Sequence, residues 1–208
     1  MKHILYIIPG WNESTSQSEY QELKSHFTSR EFIVVEISIT WKKRVMSQYV
    51  EEFLSQCSHS SEDRVSLLGF SFGAMIAFIS SQYISYTHMY LCSLSPFFKE
   101  DLNIIPKSWK TTLGKKRIED FKTISFNEVI KHWYAPFKIY LFYGEKEHPL
   151  LIRRVKDAYE KIKYSQLISI PNCKHELSNN TYLENIKNVE NCQKQVYSIP
   201  TINKSLTE

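Results

Sequence analysis

The chain has 208 residues, enough for one domain with a full hydrophobic core. Its 42% hydrophobic and 23% charged residues are ordinary for a globular protein and exclude extensive disorder. The net charge of +4 is mild, and the short basic clusters Lys42–Arg44 and Lys115–Arg117 read as solvated surface, so no nucleic-acid partner is expected.

Ile4 to Ile8 is a continuous apolar run, as expected of a strand in the middle of a parallel sheet, and Pro9-Gly10-Trp11-Asn12 ends it. Ser14 to Phe27 reads as a first helix with Tyr20, Leu23 and Phe27 on one face. Phe32 to Ile39 is a β-branched second strand, and Lys43 to Cys57 a second amphipathic helix. Val65 to Leu68 is a third, buried strand. It runs into Gly69-Phe70-Ser71-Phe72-Gly73 and then an apolar helix, Ala74 to Tyr83. Thr87 to Ser93 is the fourth strand.

The rhythm breaks over Pro96 to Pro136, where no strand is evident and helix is expected only over Phe121 to Trp133. A simple connection would be shorter, so residues 97–136 are either a lid-like insertion or an irregular excursion. Trp109, Phe121, Phe126, Trp133 and Tyr134 in it would either line an apolar pocket or pack a small core of their own. Phe137 to Tyr143 restores the pattern as a fifth strand, followed by Gly144-Glu145-Lys146-Glu147-His148-Pro149 and a helix over Leu150 to Ile162. Gln166 to Ile170 is the sixth strand, ending at Pro171-Asn172-Cys173-Lys174-His175, and Ser178 to Val189 is the last helix. The alternation predicts an α/β protein, a three-layer sandwich with a mainly parallel six-stranded sheet, in one domain over residues 1–192. Residues 193–208 are polar and read as a loosely held tail.

The four cysteines, Cys57, Cys92, Cys173 and Cys192, have neither metal-ligand nor redox spacing, which fits a reducing compartment. The first apolar run is too short for the core of a signal peptide, and no stretch has the length of a membrane span. A soluble, cytoplasmic chain without membrane insertion is expected.

Strand, Gly-x-Ser-x-Gly and helix together form the context of a nucleophile elbow, a sharp turn that strains the serine backbone and exposes its hydroxyl above the sheet. Gly69 and Gly73 are required there because side chains would collide with neighbouring backbone. Ligands of a parallel α/β sheet bind at the carboxyl ends of its strands. Ser71, Glu147 and His175 fall at three such ends, after strands three, five and six. A serine hydroxyl needs a base to become a nucleophile, an imidazole can serve, and the imidazole needs a carboxylate to fix and stabilise it. Glu145 is the rival to Glu147 as that carboxylate, Asp101 and Asp120 are weaker candidates, and His148 is expected at the rim. No metal and no organic cofactor is required.

These motifs resemble the α/β-hydrolase fold superfamily over roughly residues 2–189. Gly69–Gly73 matches its elbow, Gly144–Glu147 its acid turn with Glu in place of the commoner Asp, Pro171–His175 its histidine loop, and Pro9-Gly10-Trp11 its oxyanion loop. The resemblance implies strand order 2-1-3-4-5-6 in a compact version lacking the N-terminal antiparallel hairpin. It also implies an oxyanion hole from the backbone N–H groups of Phe72 and Trp11. The implied activity is a serine hydrolase, a carboxylesterase or thioesterase, acting on a small-molecule acyl substrate through a Ser71–His175–Glu147 triad and an acyl-enzyme. An acyltransferase or peptidase on the same triad, or a non-catalytic binding protein of this fold, are the alternatives.

Overall fold

The computed structural model describes residues 1–131, 133 and 138–189. The strands are β1 (His3–Ile8), β2 (Ile33–Glu36), β3 (Arg64–Phe70), β4 (His88–Cys92), β5 (Lys138–Gly144) and β6 (Ser165–Ile170). They form one sheet in the order β2-β1-β3-β4-β5-β6, and every pairing is parallel. Among the described residues the helices are α1 (Ser18–Thr28), α2 (Met46–Gln56), α3 (Phe72–Ser80), α4 (Lys107–Leu113), α5 (Lys115–Phe121), α6 (Phe126–Lys131), α7 (Pro149–Lys161) and α8 (Asn180–Asn188). None is long and apolar enough to cross a membrane. The tail 193–208, Cys192, Tyr134 and Phe137, the expected first residue of the fifth strand, lie outside the described residues.

The central strands are apolar throughout because both faces are covered. Successive side chains point to opposite faces, so Ile4, Tyr6 and Ile8 of β1 enter one core while Leu5 and Ile7 enter the other. Strand β4 divides in the same way, Met89 and Leu91 against Tyr90 and Cys92. One layer is made by α1 and α8, whose buried faces carry Tyr20, Leu23, Phe27, Tyr182, Leu183 and Ile186. The other is made by α2, α3 and α7, with Met46, Tyr49, Phe53, Val155 and Ala158 inward. Helix α3 is buried along its whole length because it also lies beneath the segment between β4 and β5.

That segment differs from its expected form. It carries three short helices, α4 to α6, where one helical stretch was expected. Phe121 and Phe126 are fully buried: Phe121 stacks on Phe97 at 5.3 Å and Phe126 on Phe78 at 4.7 Å. The indole of Trp133 donates to Ser81 Oγ and packs on Phe78. These three side chains fill the core over α3 rather than lining a pocket. A buried ion pair fastens the segment to α7, with Arg154 Nη1 3.1 and 3.0 Å from the two carboxylate oxygens of Asp101. Asp120 accepts from Ser47 at the start of α2, so neither aspartate faces the strand ends where Ser71 sits.

The chain reverses its direction of build between β1 and β3, which lie side by side. The crevice at their carboxyl ends is therefore the place where this architecture holds ligands.

Candidate active site

Ser71 joins β3 to α3 with φ 56° and ψ −112°, a conformation strongly disfavoured for a residue with a side chain. Two glycines make this turn possible. A Cβ at Gly69 would lie 2.2 Å from the Gly73 carbonyl oxygen, and one at Gly73 would lie 2.3 Å from that of Ile8. The elbow is thereby pressed against the end of β1.

His175 is delivered by the loop after β6, in which Asn172 takes a left-handed φ of 59°. This loop is tied to the one after β5: Glu145 N donates to Ile170 O at 3.0 Å and Lys146 N to Cys173 O at 2.8 Å. The imidazole stacks on Phe70, with ring centroids 4.8 Å apart, and its Nε2 lies 3.0 Å from Ser71 Oγ. On the far side of the ring, Nδ1 faces Glu147 Oε2 at 3.6 Å. Both atoms are buried and, among the described residues, have no hydrogen-bond partner, so each is the polar group that faces the other, about half an ångström beyond hydrogen-bond distance.

Glu147 is 6% exposed, whereas Glu145 is on the surface and accepts from Ser169 Oγ. The structure thus brings Glu147, and not Glu145, to His175. Its other oxygen, Oε1, accepts from Gly144 N at 3.0 Å and from Ser93 Oγ. Ser93 Oγ lies 2.7 Å from Tyr182 Oη. Burial, then the nearby Cys92 and Glu147, push the Tyr182 phenol well above its usual range, so it keeps its proton. Because a carboxylate only accepts, Ser93 donates to Glu147 and accepts from Tyr182, a relay that holds the acid in place.

Trp11 and Phe72 are also brought together: their rings stack at 5.4 Å and 21°. Phe72 opens α3, where the first N–H groups have no acceptor within the helix. The loop carrying Trp11 is braced from below. Gly10 N donates to Tyr20 Oη at 2.9 Å and to Glu13 Oε2 at 3.1 Å, Tyr20 donates to Glu13, and the Trp41 indole donates to Glu13 O.

A cavity of about 650 Å³ opens over Ser71. Trp11, Phe97, Trp109, Leu113 and Leu151 give it apolar walls, and Lys146, His148, Lys174 and Glu176 stand at its edge. Of the aromatic residues singled out in the sequence that are described, Trp109 alone reaches it, packed on His148 at 4.6 Å. Among the described cysteines, burial holds the thiols of Cys92 and Cys173 above their usual range and pushes Cys57 up to about 12, which disfavours the thiolate form.

Three contributors carried no sequence signal of their own: Ser93, Ser95 and Tyr182. Ser95 Oγ lies 3.2 Å from Ser71 Oγ. The spacing of two between Ser93 and Ser95, just past an apolar strand, is the one trace that could have marked them.

No protein-family model and no curated protein matches this chain. Solved structures do resemble it. Est1E from Butyrivibrio proteoclasticus superposes with a TM-score of 0.74 at 10% identity, over 94% of this chain and 88% of that one. A further structure of that esterase holds ferulic acid. Mouse alpha/beta hydrolase domain-containing protein 10 superposes with a TM-score of 0.67 at 12% identity, over 93% and 90% of the two chains. A dienelactone hydrolase from Anabaena variabilis gives 0.65 at 12%, over 94% and 87%. The chain has the α/β-hydrolase fold.

Proposed function

We propose that the chain is a serine hydrolase that cleaves esters or thioesters of small acyl substrates through an acyl-enzyme on Ser71. One observation carries this conclusion: the Ser71 hydroxyl lies 3.0 Å from His175 Nε2, in line with a buried carboxylate beyond the ring, at the base of an apolar cavity. As Ser71 Oγ attacks the carbonyl carbon, its proton passes to Nε2, and Glu147 stabilises the imidazolium. The backbone N–H groups of Phe72 and Trp11 receive the developing oxyanion, each worth about 3 kcal/mol because the charge appears only as the reaction proceeds. His175 then returns the proton to the leaving alcohol or thiol. In the second half it takes a proton from water, which attacks the acyl carbon and frees Ser71. No step asks for a metal or organic cofactor.

The aromatic and aliphatic walls favour an apolar acyl group of modest size, and the ferulic acid held by Est1E supports that scale. Residues 97–136 act as a lid-like insertion in a single domain over 1–192, since α4 contributes Trp109, Thr112 and Leu113 to the cavity. The free thiols of Cys57, Cys92 and Cys173 support a reducing, cytoplasmic setting.

The test is a series of p-nitrophenyl esters of increasing chain length, assayed beside acyl-CoA thioesters. Saturable turnover is expected, with kcat/KM rising as the acyl group fills the cavity and falling once it outgrows it. Folded protein that accelerates none of them would count against the proposal. Tyr182→Phe removes the donor at the head of the relay to Glu147. A loss of about 1 kcal/mol, roughly five-fold in kcat, is expected, measured with saturating ester.

A further inference from the structure

Among the described residues, Ser71 Oγ has two side-chain hydrogen-bond partners: the imidazole, and Ser95 Oγ at 3.2 Å. Ser95 is 1% exposed, follows β4 by three residues and faces the same cavity. The directions of these hydrogen bonds follow from the groups around them. The Glu147 carboxylate can only accept, so the nitrogen facing it, Nδ1, carries the hydrogen of the neutral ring. Nε2 therefore presents a lone pair, and the single hydrogen of Ser71 points to it. Ser71 then has none left for Ser95, and the hydrogen between the two serines belongs to Ser95.

We infer that Ser95 is a further catalytic group of the proposed hydrolase, donating a hydrogen bond to the nucleophilic oxygen itself. This rests on Ser71 being the nucleophile. Oγ has two lone pairs. Ser95 occupies one, leaving the other for the substrate carbonyl and fixing the rotamer from which it attacks. As the Ser71 proton moves to Nε2, Oγ carries partial negative charge until bonding to the acyl carbon passes that charge to the carbonyl oxygen, and over that interval the bond from Ser95 strengthens, as charge-assisted hydrogen bonds do. An interaction stronger in the transition state than in the ground state raises the rate of acylation. The loop after β4 thus serves both ends of the triad, Ser93 holding the acid and Ser95 the nucleophile.

The test compares wild type, Ser95→Ala and Ser95→Thr for the second-order rate of modification by a fluorophosphonate, for its pH profile and for thermal unfolding. Ser95→Ala is expected to react about ten-fold more slowly, in line with loss of one hydrogen bond. Its pH midpoint should stay unchanged, because Ser95 touches neither His175 nor Glu147, and its unfolding temperature should fall by no more than the roughly 2–4 °C that one buried hydrogen bond supports. Ser95→Thr, which keeps the hydroxyl, should react within about three-fold of wild type. Ser95→Cys, close in shape but a weak donor, should fall between wild type and Ser95→Ala. Ser95→Ala reacting at the wild-type rate, or a folded Ser95→Thr as slow as Ser95→Ala, would overturn the inference. Folded wild type that is not modified at all would instead overturn the assignment of Ser71, and Ser95 with it.

Discussion

Replacing Ser71 with alanine is expected to lower kcat/KM for a p-nitrophenyl ester by about 10⁴-fold or more, while the fold stays intact. The size follows from the proposed mechanism: without the hydroxyl no acyl-enzyme would form, and only the proposed oxyanion donors and the cavity would remain to accelerate attack by water. The same position carries a stability signature that a surface serine would not. Its φ of 56° strains any residue with a Cβ, and alanine keeps that strain. Ser71→Gly relieves it, at the expense of a more flexible unfolded chain. The balance predicts that Ser71→Gly is about 1 kcal/mol more stable than Ser71→Ala and melts roughly 2–4 °C higher. Equal melting temperatures would mean that the turn is not strained as described.

The second large effect lies away from the reacting atoms. Arg154 is 2% exposed and its guanidinium sits 4.3 Å over the Phe126 ring; Asp101 is its hydrogen-bonded carboxylate partner, and Asp157, 3.9 Å from Nη2, lies beyond hydrogen-bond reach and cannot replace it. Removing one member of a buried pair strands the other charge, which typically costs about 3–5 kcal/mol. Asp101→Ala is therefore expected to lower the unfolding temperature by roughly 10 °C. Adding Arg154→Met removes the stranded cation and fills its space with an apolar chain, so the double variant should regain most of the loss. A double variant no more stable than Asp101→Ala would show that the cost comes from lost packing, not from unpaired charge. Because Asp101 precedes α4 on the segment that walls the cavity, Asp101→Ala is also expected to raise KM more than it lowers kcat.

The sheet was legible in the sequence because its physics is periodic. Continuous apolar runs mark strands covered on both faces, and their alternation with amphipathic helices fixes parallel order. Ends were less legible. The first helix begins at Ser18 and not at Ser14, because Ser14 and Gln17 close a separate turn: Ser14 N donates to Gln17 Oε1 and Gln17 N to Ser14 O. The second strand stops at Glu36, short of the expected Ile39. Helices α4 to α6, six or seven residues each, are too short to imprint a 3.6-residue period and owe their form to burial against α3. Ser71, Glu147 and His175 stood out because glycines and strand ends surround them. Tyr182 did not, since its contact with Ser93 spans 89 residues and exists only once α8 has packed on the sheet. Ser95 had only its spacing from Ser93 to mark it, for the same reason: a lone hydroxyl acquires meaning from its neighbour in space.

The most direct measurement is the mass of the intact protein after reaction with a fluorophosphonate, followed by mapping of the modified peptide. The proposed triad predicts one adduct per chain, on the peptide containing Ser71, and none in Ser71→Ala. Folded wild-type protein that gains no adduct, or gains it on another residue while Ser71 stays free, would contradict it.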